Sequence, residues 1–120
     1  MADSSLIENE NLEELNSALG QSKSVPVLLF KHSTTCGISA RADRQMQRLL
    51  SSNPPENALY RLIIIQHSRM LSNTIAAELS VQHESPQVII VRDGKPVWTA
   101  SHDDITEDSV RRALVSAAQS

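Results

Sequence analysis

The stretch Val25-Pro-Val-Leu-Leu-Phe-Lys-His-Ser-Thr-Thr-Cys-Gly-Ile-Ser39 decides how the rest of the chain is read. From Val25 to Phe30 it is apolar throughout, as expected of a strand covered on both faces, and Pro26 falls at its start, where a missing backbone donor is tolerable. Small polar residues from His32 to Gly37 then break the run. Beyond them Ile38, Ala42, Met46, Leu49 and Leu50 fall on one helical face, while Arg41, Arg44, Gln45 and Arg48 fall elsewhere. This helix is expected to end before Asn53-Pro54-Pro55. The stretch therefore predicts a strand, a short polar turn and a helix, with Cys36 at the N-cap or the first helical position.

Upstream, Leu12, Leu15 and Leu19 recur at helical spacing and Gly20 is a natural stop, which predicts a helix over residues 9–19. Downstream, Leu59 to Gln66 reads as a second strand, and Ser72 is a candidate cap for a helix carrying Ile75, Ala76 and Leu79. Pro86 opens a third extended run, Val88 to Val91, joined through Asp93-Gly94 to a run from Lys95 to Ala100. Asp-Gly between extended runs is a strong hairpin signal, and Pro96 marks the second arm as an edge strand. Thr106 is placed to cap a last helix, with Glu107 and Asp108 in its first turn and an apolar stripe of Val110, Ala113, Leu114 and Ala117. The order α-β-α-β-α-β-β-α is that of a thioredoxin-like fold. That implies three α/β/α layers around a four-stranded mixed sheet, with an extra N-terminal helix. No repeat or linker divides the sequence, and 120 residues at 40% apolar content suit one core, so a single domain over residues 1–120 is expected.

Composition removes several function classes. The net charge is −3, the pI is near 5.7 and aromatics make up 2%, so the chain lacks the basic footprint and stacking surfaces that nucleic acid requires. Its longest purely apolar runs, such as Val27 to Phe30 and Leu62 to Ile65, are far too short to span a bilayer. Residues 1–20 carry five acidic side chains and no Lys or Arg, the opposite of a secretory or mitochondrial leader. A soluble cytoplasmic protein is expected, with neither nucleic acid nor membrane among its partners.

Cys36 is the only cysteine, so its thiol is free, capped by a small molecule, or paired with another chain. A thiol attacks as thiolate, and unpaired backbone N–H groups at a helix start favour that form. Cys36 is placed for this, with the N–H groups of Ile38 and Ser39 expected to face the sulfur. Its neighbours Thr34, Thr35, Gly37 and Ser39 are small and polar, unlike the apolar surroundings of an inert buried thiol. Cys36-Gly37-Ile38-Ser39 keeps the spacing of the redox motif Cys-x-x-Cys with serine in place of the resolving thiol. A mixed disulfide on Cys36 must then wait for an external thiol. Ser39 either donates a hydrogen bond to the thiolate or is simply a first-turn residue. The four histidines, His32, His67, His83 and His102, are not paired at ligand spacing, so no metal site is expected.

Four segments carry a family resemblance. These are Thr34-Thr35-Cys36-Gly37-Ile38-Ser39 after a strand, Ser72-Asn73 opening a helix, His83-Glu84-Ser85-Pro86-Gln87, and Ser101-His102 before Ile105-Thr106. Over nearly its whole length the chain resembles the monothiol bacilliredoxins, bacillithiol-dependent thioredoxin-fold proteins once described only as general-stress proteins. The resemblance implies a cytoplasmic bacterial protein that removes bacillithiol from mixed disulfides on other proteins. It implies no bound cofactor, with bacillithiol as co-substrate. Its partners would be bacillithiolated proteins and a low-molecular-weight thiol, and it would act as a monomer or weak dimer. By position Cys36 is the nucleophile, with Thr35, Gly37, Ile38, Ser39, Ser85 and Pro86 receiving the substrate. Only about 5% of X-Pro bonds are cis, but this fold keeps a cis proline beside its cysteine, so Pro86 is expected to be cis and Ser85 to offer its backbone to an extended substrate. The family motif has proline where this chain has Gly37, which leaves the helix start looser. The resemblance also places His83 and His102 near loops approaching the thiol. Lys31 and His32, just before the cysteine loop, either add positive potential for a carboxylate-bearing thiol or are simply solvated, as basic residues beside a strand end usually are.

Two other readings are compatible with the sequence. Cys-Gly-Ile-Ser looks like the Cys-Gly-Phe-Ser motif of monothiol glutaredoxins, which use glutathione and can share a 2Fe-2S cluster between subunits. The Gly-Gly pair followed by aspartate that those proteins carry after the fourth strand is absent, since Ala100-Ser-His-Asp-Asp104 stands there. A non-catalytic thioredoxin-fold interaction module, with Cys36 incidental, is the other.

Overall fold

The computed structural model describes residues 6–119; the ends of the expected 1–120 domain, residues 1–5 and 120, lie outside the described residues. In chain order the elements are β1 (Ile7–Glu8), α1 (Leu12–Gly20), β2 (Val27–His32), α2 (Gly37–Ser51), β3 (Leu59–Ile64), α3 (Arg69–Leu79), β4 (Gln87–Arg92), β5 (Lys95–Ser101) and α4 (Glu107–Ala118). Short 3-10 turns at Gln21–Lys23 and His102–Asp104 follow α1 and β5.

The strands form one mixed sheet in the order β1-β3-β2-β4-β5. β2 runs through its middle, parallel to β3 and antiparallel to β4. Successive side chains of a strand point to opposite faces, so the unbroken apolar run of β2 serves two cores at once. Leu28 and Phe30 pack with Ala42, Met46 and Leu49 of α2 and with Val110 and Leu114 of α4. Val27 and Leu29 pack with Leu15 and Ala18 of α1 and with Leu71, Ile75 and Leu79 of α3. The expected α/β/α layering of the thioredoxin-like fold is thus present.

The sheet has five strands instead of four. The added β1 is two residues long and lies parallel along the outer edge of β3, with Ile7 opposite Arg61 and Glu8 opposite Leu62. So short a strand has no periodicity to read; only the open edge of β3 defines it. Consequently α1 starts later than expected, at Leu12, where the Asn11 side chain accepts from the Glu14 N–H at 2.9 Å. β3 ends at Ile64, because the chain turns there and the N–H groups of His67 and Ser68 both donate to the Ile64 carbonyl at 2.9 Å. α3 therefore begins at Arg69, and Ser72 is an interior, buried residue and not the cap.

β2 is shifted from the expected Val25–Phe30 to Val27–His32, because Lys31 and His32 stay paired with Ile63 and Ile64 of β3. The hairpin and the last helix stand as expected. Asp93 and Gly94 both have positive φ, 55° and 73°, the signature of the tight hairpin turn whose twist matches the strands. β5 is an edge strand carrying Pro96. Thr106 caps α4 by accepting from the Ser109 N–H at 3.1 Å. Among the described residues no helix is long and apolar enough to cross a membrane.

Candidate active site around Cys36

Cys36 is the N-cap of α2, extended at φ −107° and ψ 127°, and its carbonyl accepts the first helical hydrogen bond from the Ala40 N–H at 3.0 Å. Its side chain caps nothing, so the first-turn N–H groups are left without a side-chain partner. Cys36 is half-buried, and Thr35, Gly37 and Ile38 around it are exposed. Ile38 is 39% exposed, so it does not begin the buried stripe of α2 as the spacing suggested. It offers apolar surface beside the sulfur.

The stripe begins one residue later. Ser39 is fully buried on the same face as Ala42, Met46 and Leu49. Its hydroxyl accepts from the Ser33 N–H at 2.9 Å and lies 2.8 Å from His32 Nδ1. Neither sequence reading of Ser39 describes this. Its helical phase turns it inward, where it ties the loop to the strand end and makes no contact surface for a substrate. Gln66, just beyond β3, holds the same loop from the other side. Its Oε1 accepts from the Thr34 N–H at 3.3 Å, while Nε2 donates to Ser33 Oγ at 2.9 Å and Thr35 Oγ1 at 3.2 Å. The Gln66 bonds are exposed, so each is worth well under about 1 kcal/mol, but together they restrict the four-residue turn from Ser33 to Cys36. Sequence reasoning missed Gln66, because its partners lie 31 to 33 residues away in the chain.

The Ser85–Pro86 peptide bond is cis. Pro86 is buried and Ser85 half-buried, and the Pro86 carbonyl accepts from the His102 N–H at 3.1 Å. The ladder pairs Lys31 with Gln87, which sets Pro86 beside the end of β2, where the Cys36 loop departs. The segment before Pro86 is anchored by an unexpected residue. Lys31, read as a source of positive potential at the loop, is instead fully buried, with Nζ 3.2 Å from His83 Nδ1. Alternation along β2 sends it inward under α3, on the face opposite Phe30. Ser72 Oγ of α3 stands 3.1 Å from the same nitrogen.

Burial lowers the Lys31 pKa to about 8. The His83 pKa is lowered by desolvation of its inward edge, then by the Lys31 charge and Arg69, with Glu84 opposing. The four imidazoles each have separate partners: His32 with Ser39, His67 with Glu8, His83 with Lys31 and Ser72, and His102 with Glu84 at 3.7 Å. Among the described residues the one grouping of metal-ligating side chains is Glu8, Glu10 and His67, and it does not include Cys36.

A single thiol at a helix start beside a cis proline is the site of a thioredoxin-fold redox protein, and the model for monothiol bacilliredoxin BrxC matches residues 7–110. The chain belongs to the monothiol bacilliredoxin family. It is 32% identical to a candidate oxidoreductase with a thioredoxin fold, at a TM-score of 0.77, over 90% of this chain and 92% of that one. A mutant thioredoxin from Halobacterium salinarum is similar in fold, at 17% identity and a TM-score of 0.74, over 98% of this chain and 95% of that one. Thioredoxin O2 from Arabidopsis thaliana in its oxidized state is similar at 23% identity and a TM-score of 0.72, covering 92% and 95%. As a bacilliredoxin-family protein the chain has a thiol redox role. With Ser39 buried and its hydroxyl engaged, the position of a resolving thiol is filled by a structural brace.

Proposed function

We propose that this protein removes bacillithiol from mixed disulfides on other proteins by single-thiol exchange at Cys36. The Cys36 thiolate attacks the bacillithiol sulfur, the protein cysteine leaves, and a second small thiol later frees Cys36. One observation carries the reading: the only cysteine of the chain is the uncapped N-cap of α2, and Ser39 leaves no second sulfur to resolve it. Family membership supports bacillithiol as the small thiol. The exposed Thr35, Gly37 and Ile38 are the surface against which the mixed disulfide is received, with the backbone of Ser85 before Pro86 on the opposite side.

Intact-mass measurement tests this. Reduced protein mixed with bacillithiol disulfide is expected to gain one bacillithiol, a Cys36→Ser variant none, and a bacillithiolated protein substrate is expected to be released only by the wild type. Absence of the adduct overturns the proposal. An adduct with glutathione disulfide but not with bacillithiol disulfide would move the substrate class to glutathione.

A further inference from the structure

Lys31 is a charged residue that the exchange step above leaves unused. It is fully buried on the central strand, and among the described residues no carboxylate pairs with it. A lysine is almost never fully buried without a partner. Its partner here is neutral: His83 Nδ1, at 3.2 Å, which Ser72 Oγ also approaches to 3.1 Å. An ammonium has three donors and no acceptor, so Nδ1 accepts and the ring proton resides on Nε2. His83 is an exposed residue with Nδ1 turned inward, which leaves Nε2–H on its outer side. The pair sits at the active end of the sheet, since Lys31 faces Gln87, next to cis Pro86, and lies five residues before Cys36.

We infer that Lys31 and His83 form a proton relay that protonates the thiolate departing when Cys36 attacks a mixed disulfide, an inference that rests on the exchange reading above. The Cys36 sulfur forms its bond to the small-thiol sulfur as the original S–S bond breaks. The protein cysteine leaves with that electron pair and takes a proton from His83 Nε2. Nδ1 takes a proton from the Lys31 ammonium in the same step; the pair then resets as the outward Nε2 takes a proton from solvent and Nδ1 returns one to the Lys31 amine. No electrons beyond the disulfide exchange are involved.

The surroundings suit transfer through the ring. Lys31 from β2, Ser72 and Arg69 from α3, and Glu84 from its own loop are the polar and charged groups that face His83. Their balance keeps the imidazole neutral, so it passes a proton on and does not store one. Burial leaves the Lys31 ammonium at about 8, near the value of about 8.5 for an ordinary thiol, so donor and acceptor are matched.

Leaving-group dependence tests the relay. Two mixed disulfides are compared at pH 7, one releasing an ordinary alkyl thiol and one an acidic aromatic thiol that needs no proton to depart. Lys31→Met and His83→Gln are both expected to slow alkyl-thiol release about tenfold or more and to leave aromatic-thiol release within about twofold. Glutamine can accept from Lys31 and donate outward, but it cannot relay a proton, so wild-type alkyl release in His83→Gln would overturn the relay. Equal slowing of both disulfides, or of neither, would overturn it as well. Should Lys31→Met fail to fold, His83→Gln and His83→Ala at the exposed position carry the same comparison. If the wild type releases neither thiol, the exchange reading falls first, a result distinct from failure of the relay alone.

Discussion

Phe30 and Lys31 are neighbours on one strand and equally hidden from solvent, yet they face opposite sides of the sheet. Phe30 closes the core under α2 and α4, and its ring lies 5.5 Å from that of His32. Lys31 brings an ammonium under α3, where apolar contacts give way to His83 and Ser72. Burial of the first stabilises the fold; burial of the second costs free energy. Both faces of the sheet carry an apolar core, but at the end nearest Cys36 the α2 and α4 side stays apolar while the α3 side gives way to polar groups.

Four substitutions sharpen or break that contrast. Phe30→Ala is expected to lose about 3–5 kcal/mol, seen as a lowered urea midpoint, because it opens a cavity in a closed core. A loss below about 1 kcal/mol would mean that the α2 and α4 side is not a closed apolar core at this end.

Lys31→Met is expected to move the other way, stabilising by up to about 3 kcal/mol at neutral pH. The sign follows from the lowered pKa. Below about 8 the lysine is charged in both folded and unfolded states, and its burial penalty is present in full. Between about 8 and the unfolded value of 10.5 the folded state loses its proton first, so stability rises with pH and the penalty disappears. The advantage of Lys31→Met should therefore be level between about pH 7 and 8, above the range in which His83 titrates, and close towards pH 10.5. Tyr60, raised to about 12 by its burial, titrates in both proteins and cancels in the difference. A gap that stays constant to pH 10.5 would remove the buried charge as its cause.

Ser39→Ala should cost about 1–3 kcal/mol, because the Ser33 N–H and His32 Nδ1 lose their shared partner. Gln66→Ala is expected to change stability by less than about 1 kcal/mol, since the side chain is exposed. Its effect is local: the Thr34 amide should exchange with solvent faster, while amides of Phe30 and Lys31 keep wild-type protection.

The fold was largely legible because its decisive signals are local. The β2 run, the polar break at Cys36, the Asp93-Gly94 turn and the Thr106 cap each act through a few neighbouring residues. Of the boundaries that differed, that of β1 depends on distant chain, since it exists only against β3, whereas α3 begins early because of a local turn at Ile64 that no glycine or proline marks. In the site, Cys36 and cis Pro86 were legible, the first from its place between strand and helix and the second from the fold. Ser39, Gln66 and Lys31 were misread or missed. Ser39 was set one position off the buried face of α2, while Gln66 and Lys31 find their partners more than 30 residues away.

Composition and short-range periodicity suffice to place one sulfur at a helix start with no second sulfur to resolve it. Only the tertiary structure decided what surrounds the sulfur. Strand register sets Lys31 beneath His83, and helix phase turns Ser39 inward; both are choices between two faces that a local pattern leaves open and that packing against the rest of the chain resolves.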